Sequence, residues 1–531
     1  MPLSDCKCTS NTPGDYIHSL HSWPLAEDYG KSSVRTFFHF RHMNVHENLR
    51  IKQAPLLFLT SLRHISKVKV VSFLLGLTFM FLIMASYILT WDKKRLLLTA
   101  LPYQLRPVAI PTIMATADVS TEESLMDAKV ISIKEYTSRT VPNQRDIIDT
   151  DLHLFSVIPR RFLPGIKSPC WYEEFSSELN MDPYGKNHFS LRSKSFKSAC
   201  DHLRANFHQH VCHRDGKHFR LRCLPYFYII GQPKCGTTDL FHRLLMHPEV
   251  KFNIIKEPHW WTRKRFGYIR FKEGFQERFP VEDYLDLFDL AAHNIHEGIS
   301  GNSSGDHPAL QIITGEASAS TMWDNQAWSY LHGDREESAP PFLVQDFIHA
   351  VQPGAKIIIM LRDPVERLYS DYLYFTTANK SAEDFHQKVV DSVRLFQSCL
   401  SERSLRSCVY NTSLFNVMPV RLTLGIYFIF ILDWMTTFQR EQILVLRLED
   451  YAANLKETIK KVFDFLSLGP LSDQVETALT KKPMSNTRRA QDRSLGPMLP
   501  ATRDILNTFH QPFNHELASL LEDKAFRWSK I

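Results

Sequence analysis

Tyr226-Phe-Tyr-Ile-Ile-Gly-Gln-Pro-Lys-Cys-Gly-Thr-Thr238 reads as a strand, a turn and the opening of a helix. Tyr226–Ile230 is a short apolar run of strand length. Gly231 and Gly236 bracket the turn, and Asp239–Met246 continues as a helix. Two glycines five apart between a strand and a helix suit a loop whose backbone N–H groups wrap an anion. A nucleoside-triphosphatase loop sets its lysine directly after the last glycine, before Ser or Thr. Here the lysine stands forward at 234, and Gly236 is followed by Thr237 and Thr238. The lysine for a γ-phosphate and the arrangement for Mg²⁺ are therefore unmatched. The spacing predicts an anion shorter than a triphosphate and no metal.

Two further strand-then-helix units follow. Lys356–Leu361 runs into Arg362-Asp-Pro364 and a helix over 365–378, with Pro364 in the first turn, where proline is tolerated. Gln442–Leu446 is followed by helical spacing over Leu455–Leu466. Apolar strands alternating with helices predict an α/β fold, a P-loop-like parallel sheet flanked by helices. Such sheets bind ligands at the carboxyl ends of their strands. Arg362 stands at such an end, and Ser370 lies along the next helix; a guanidinium and a hydroxyl so placed can pinch one phosphate. The plain alternative is that Arg362 pairs with Glu366 or Asp363 at the surface.

Between the first two units lies Lys256-Glu-Pro-His-Trp-Trp261, followed by Arg263, Lys264, Arg265, Arg270 and Lys272. Glu257 is the only acid from 256 to 272. A run of cations is usually a solvated face. Beside an anion loop it suits a polyanionic acceptor, with Trp260 and Trp261 placed to pack on sugar rings and Arg263 and Lys264 to hold acid groups.

The phosphate loop, the Arg362–Ser370 pair and the Lys-Glu-x-His-aromatic-aromatic segment, in this order, resemble the glycosaminoglycan sulfotransferases that use PAPS (3′-phosphoadenosine-5′-phosphosulfate). The resemblance covers roughly residues 155–531 and implies the sulfotransferase fold. It implies that Lys234, Cys235, Gly236, Thr237 and Thr238 hold the 5′-phosphosulfate of PAPS, and Arg362 and Ser370 its 3′-phosphate. Ser485-Asn-Thr487-Arg488-Arg489 resembles the late basic loop that closes over the nucleotide. The resemblance makes Glu257 the general base and Lys234 the stabiliser of the leaving group, with His259 orienting Glu257 or touching the acceptor. Longer segments, Ser168–Phe175, His218–Pro225, Gly315–Asp324 and Asp363–Phe375, are similar to the branch that 6-O-sulfates N-acetylgalactosamine 4-sulfate in chondroitin and dermatan sulfate. Other readings are sulfation of another glycosaminoglycan position, a P-loop kinase, or a glycan-binding protein without turnover.

Further out, Val70–Thr90 is uncharged and, at about 1.5 Å per residue, long enough to cross a bilayer. It predicts a signal-anchor helix at 70–90, with a cytosolic tail at 1–69, a luminal stem at 91–154 and a luminal catalytic domain at 155–531. The expected place is the Golgi membrane, single-pass type II. Sequons at Asn302, Asn379 and Asn411 all follow the span. The second apolar run, Leu422–Leu432, is too short to span and reads as a core helix. Of nine cysteines, seven follow the span, an odd number that leaves at least one thiol unpaired, with Cys235 the candidate. Cys399 and Cys408 close a short loop and form the expected disulfide; the other pairings stay open. A net charge of +6 over 531 residues gives no reason to expect a nucleic-acid partner. Oligomeric state, a homodimer included, is left open.

Overall fold

The structure, a computed structural model, describes residues 7–8, 139–176, 181–252, 255–268, 276–300, 308–327 and 340–528. The expected span at 70–90, nearly all of the tail, most of the stem, Asn302, Arg270 and Lys272 lie outside these residues. Among the described residues no helix is long and apolar enough to cross a membrane.

Four strands form a wholly parallel sheet in the order Gly315–Glu316, Phe227–Gly231, Lys356–Leu361, Ile443–Arg447. Ile357 to Leu361 pair in register with Ile443 to Arg447, and Tyr228 pairs with Ile357. The central strands are apolar throughout because helices cover both faces, and Phe227, Ile229, Ile358 and Met360 are fully buried. Each strand expected from the sequence is present within about a residue of its expected ends; the helices Thr237–Leu244, Pro364–Phe375 and Leu455–Phe465 are present too, the first shifted two residues earlier than expected and the second ending three residues earlier. Leu422–Leu432 is core: a 3₁₀ turn at Leu422–Gly425 leads into the buried helix Tyr427–Met435. The long helix Pro500–Leu520 packs across Tyr427–Met435, Ala382–Glu402 and Pro364–Phe375. This brings the C-terminal region back onto the phosphate-loop side of the sheet.

A second, antiparallel sheet runs in the order Lys7–Cys8, Val211–Arg214, Lys217–Cys223, Cys170–Glu174. Asp215 and Gly216 turn its hairpin with φ of 50° and 74°, the left-handed pair that a two-residue hairpin needs. Cys170 lies opposite Cys223 in register, and the two form a disulfide. Cys399 and Cys408 form a second among the described residues; Cys200, Cys212 and Cys235 are buried and outside these disulfides. Buried Arg222 fastens this sheet to the helices below through Asp286 (2.8 Å) and Asp289 (2.7 Å).

Candidate active site

The phosphate loop leaves the parallel sheet at Gly231 and folds back on its neighbours. Gln232 donates its backbone N–H to Met360 (2.7 Å) and its side-chain amide to the Leu424 carbonyl (3.0 Å). Gly236 is left-handed at φ 88°, and a Cβ there would come within 2.8 Å of Leu448. That position takes only glycine, and it starts the helix Thr237–Leu244. The positive end of that helix faces the loop, as an anion site requires. Cys235 is buried, and burial pushes its thiol up to about 12, so it stays neutral.

Three candidate residues hold left-handed backbones: Lys234 (φ 68°), Glu257 (φ 61°) and His259 (φ 53°). Each conformation costs about 1–3 kcal/mol and persists only where surrounding contacts impose it. Glu257 donates its N–H to Ala317 (2.9 Å), and His259 donates its own to Ser318 Oγ (3.1 Å). His259 Nδ1 lies 2.7 Å from Ser320 Oγ, and its Nε2 is 3.8 Å from Glu257 Oε2. Lys256 donates to Glu257 Oε1 at 2.6 Å. Burial alone would raise the Glu257 carboxyl, but Lys256, His259 and Arg263 outweigh it and hold it at about 2.

Burial pushes the Lys234 ammonium down to about 8; Arg421 and Arg362 add to this, while Asp371 and Glu257 oppose it. Lys234, Glu257 and Arg362 thus share one electrostatic neighbourhood. The Lys234 Nζ rests 3.6 Å from the centre of the Tyr374 ring. Below it, buried Asp371 is ion-paired with Arg421. Behind Glu257, the Glu316 carboxyl is 1% exposed, and burial together with the charge of Glu257 raises it to about 7.

The second cluster gathers on Glu366. Arg503 donates to it at 2.5 Å, with Arg362 at 3.6 Å and Arg488 at 3.7 Å. The Arg362–Glu366 pair weighed from sequence is therefore present, with Glu366 shared by three guanidiniums and the carboxyls of Asp363 and Glu449 beside it. Ser370 stands one helical turn beyond Glu366 and is half-buried. The Thr487–Arg489 loop is tied to the phosphate-loop helix, since Ser485 donates its N–H to Asp239 (2.7 Å) and its hydroxyl lies 3.0 Å from His242 Nδ1. Thr487 itself is exposed.

The expected sugar platform is not where the sequence put it. Trp260 and Trp261 are 2% and 1% exposed. Their indole N–H groups donate to the Phe279 carbonyl and the Tyr284 hydroxyl, both at 2.9 Å, and Trp260 stacks on Tyr284. They are core residues. Arg263 is bound to buried Asp324 (2.6 Å) and reaches the site only through its field at Glu257, while Lys264 lies over the Phe279 ring. Sequence reading missed Arg503, Asp371 with Arg421, and the serines behind His259. Among the described residues no group of three or more His, Cys, Asp or Glu is placed to hold a metal ion.

Residues 224–495 match the family model described as a sulfotransferase domain. Human carbohydrate sulfotransferase 15 is 53% identical over 478 residues, which span 86% of this chain and 85% of that one. The chain belongs to the carbohydrate sulfotransferases. Mouse bifunctional heparan sulfate N-deacetylase/N-sulfotransferase 4 is 24% identical over 371 residues, 67% of this chain and 33% of that one. A solved sulfotransferase of Alicyclobacillus acidocaldarius, 20% identical, covers 57% of this chain and 99% of that one at a TM-score of 0.36. Membership makes this sulfotransferase an enzyme and sets aside the kinase and the non-catalytic binder. Sulfotransferases of this family draw the sulfuryl group from PAPS, which has an anionic group at each end of the nucleotide. The loop at Lys234 and the arginines around Glu366 fit those two groups in kind and charge.

Proposed function

We propose that this sulfotransferase moves the sulfuryl group of PAPS to the 6-hydroxyl of N-acetylgalactosamine 4-sulfate in chondroitin or dermatan sulfate, as a single-pass type II protein of the Golgi membrane. The observation that carries the reading is the convergence of Lys234, Glu257 and the arginines around Glu366 by the carboxyl ends of the two central strands. The choice of acceptor is supported by the 53% identity with carbohydrate sulfotransferase 15.

Residues 234–238 hold the phosphosulfate end of the donor; Arg362, Ser370, Arg488 and Arg489 hold its 3′-phosphate, with Thr487 in the covering loop. The acceptor oxygen attacks sulfur in line, and the bond from sulfur to the 5′-phosphate oxygen breaks. Lys234 neutralises the charge that collects on that oxygen as 3′,5′-ADP leaves. The hydroxyl proton passes to Glu257. A carboxylate held near 2 is a weak base, yet it suffices, because the hydroxyl becomes strongly acidic as its oxygen bonds to sulfur. His259, pinned by Ser318 and Ser320, keeps Glu257 in place.

The test is incubation with PAPS and chondroitin 4-sulfate in EDTA, followed by disaccharide analysis. The expected product is a 4,6-disulfated N-acetylgalactosamine unit. Glu257→Gln is expected to abolish its formation while 3′,5′-ADP still binds. Full turnover in Glu257→Gln removes Glu257 as the base, and sulfate found at another position removes the acceptor.

A further inference from the structure

The helix Pro364–Phe375 carries four aromatic side chains with opposite fates. Tyr369 and Tyr372 are 1% and 4% exposed, whereas Tyr374 and Phe375 are 40% and 48% exposed. Among the described residues these two are the only aromatic ones with large exposed side chains. Two adjacent aromatic rings in water are costly unless something covers them. They form a built pair, with centroids 4.8 Å apart and rings nearly perpendicular. Each ring also carries a cation: Lys234 Nζ at 3.6 Å and Arg489 at 5.5 Å for Tyr374, and Arg421 at 4.2 Å for Phe375. Arg421 is in turn fixed by buried Asp371. The pair is thus held in place from the active-site side while its remaining surface is open.

Its position identifies what covers it. Lys234 acts at the sulfur, and an acceptor hydroxyl must come within about 3–3.5 Å of that sulfur. Tyr374 is in direct contact with Lys234, so a sugar ring presenting its hydroxyl there comes up to the exposed surface of Tyr374 and Phe375. Pyranose rings expose C–H groups on their faces, and these pack on aromatic rings.

We propose that Tyr374 and Phe375 form the acceptor platform, stacking the sulfated hexosamine that receives the sulfuryl group. This rests on the acceptor class given above, and it assigns to this pair the role that the sequence suggested for Trp260 and Trp261.

The test is steady-state kinetics on the full chain with Phe375→Ala, Tyr374→Ala, Phe375→Trp and Tyr374→Phe, varying chondroitin 4-sulfate and PAPS separately. The alanine variants are expected to raise the KM for chondroitin 4-sulfate about tenfold, with the PAPS KM of Phe375→Ala within twofold of wild type. The aromatic variants are expected to restore the acceptor KM. Thermal melts exclude misfolding, and titration of a chondroitin 4-sulfate oligosaccharide into each protein saturated with 3′,5′-ADP reads the same loss without turnover. If both alanine variants keep wild-type oligosaccharide affinity and acceptor KM, or change only the PAPS KM, the platform is overturned while the acceptor class stands. If the wild type neither binds nor sulfates any sulfated glycosaminoglycan, the acceptor class and the platform fall together.

Discussion

Lys234 is the residue at which position and protonation meet. Burial lowers its ammonium to about 8, so the free enzyme loses that charge as pH rises through 8, where an exposed lysine would keep it. The kcat/KM for PAPS is expected to fall above about pH 8 and to fall much less in Lys234→Arg, whose guanidinium stays charged. A pH profile of both enzymes checks this, and identical alkaline limbs would assign the titration to another group. Glu316 is the opposite case, a carboxyl raised from an ordinary 4.5 to about 7. Between those values the folded protein holds the proton better than the unfolded chain. The cost to stability is therefore absent below about pH 4.5 and complete above pH 7, on the order of 3 kcal/mol at about 1.4 kcal/mol per unit. Glu316→Gln is expected to stabilise the protein by about that much at pH 8 and little at pH 4.5, as read by denaturant melts at both. Lys234, Glu257 and Arg362 could be named as candidates from sequence because each sits in a short local motif. Arg503 could not: it reaches Glu366 from 137 positions along the chain, and no local pattern marks such a contact.

At the scale of elements, periodicity exposed the strand–helix units because strands buried on both faces are uninterruptedly apolar. The Trp260–Trp261 pair shows where that reading fails. Aromatic residues flanked by cations look like a surface in one dimension. The left-handed backbones at Glu257 and His259 instead turn the chain inward, so that both indoles meet Tyr284 on the helix Val281–Asp286 while Glu257 keeps 38% of its side chain exposed. Trp261→Ala is expected to cost about 3–5 kcal/mol, the loss seen for a buried large aromatic, and to leave the acceptor KM of the surviving folded enzyme unchanged. Denaturant unfolding together with kinetics on the folded fraction checks both halves. The antiparallel hairpin carries a clear local signal in Asp215-Gly216. Its disulfide, Cys170–Cys223, was beyond reach because the partnership follows from strand register over 53 positions. Cys399 and Cys408, nine apart, needed only a short loop.

For the whole molecule, the question is which side of a membrane each part occupies. The uncharged stretch at 70–90 is long enough to cross a bilayer, and two disulfides in the folded region suit an oxidising lumen. Of the sequons after that stretch, Asn379 is exposed on a left-handed turn just past the helix Pro364–Phe375, while Asn411 caps the helix Thr412–Val417. The pairing of Lys7–Cys8 with Cys212–His213 points the other way, because an edge strand must share a compartment with its sheet. Type II topology is expected to leave an N-terminal tag open to protease added to sealed Golgi vesicles while the catalytic domain is protected. Glycosidase treatment is then expected to lower the apparent mass, and Asn379→Gln to remove part of that shift. A tag protected together with the domain would place the tail in the lumen as the edge strand and remove 70–90 as a single span. A sulfotransferase domain digested with the tag would place the catalytic edge in the cytosol, away from secreted glycosaminoglycan chains.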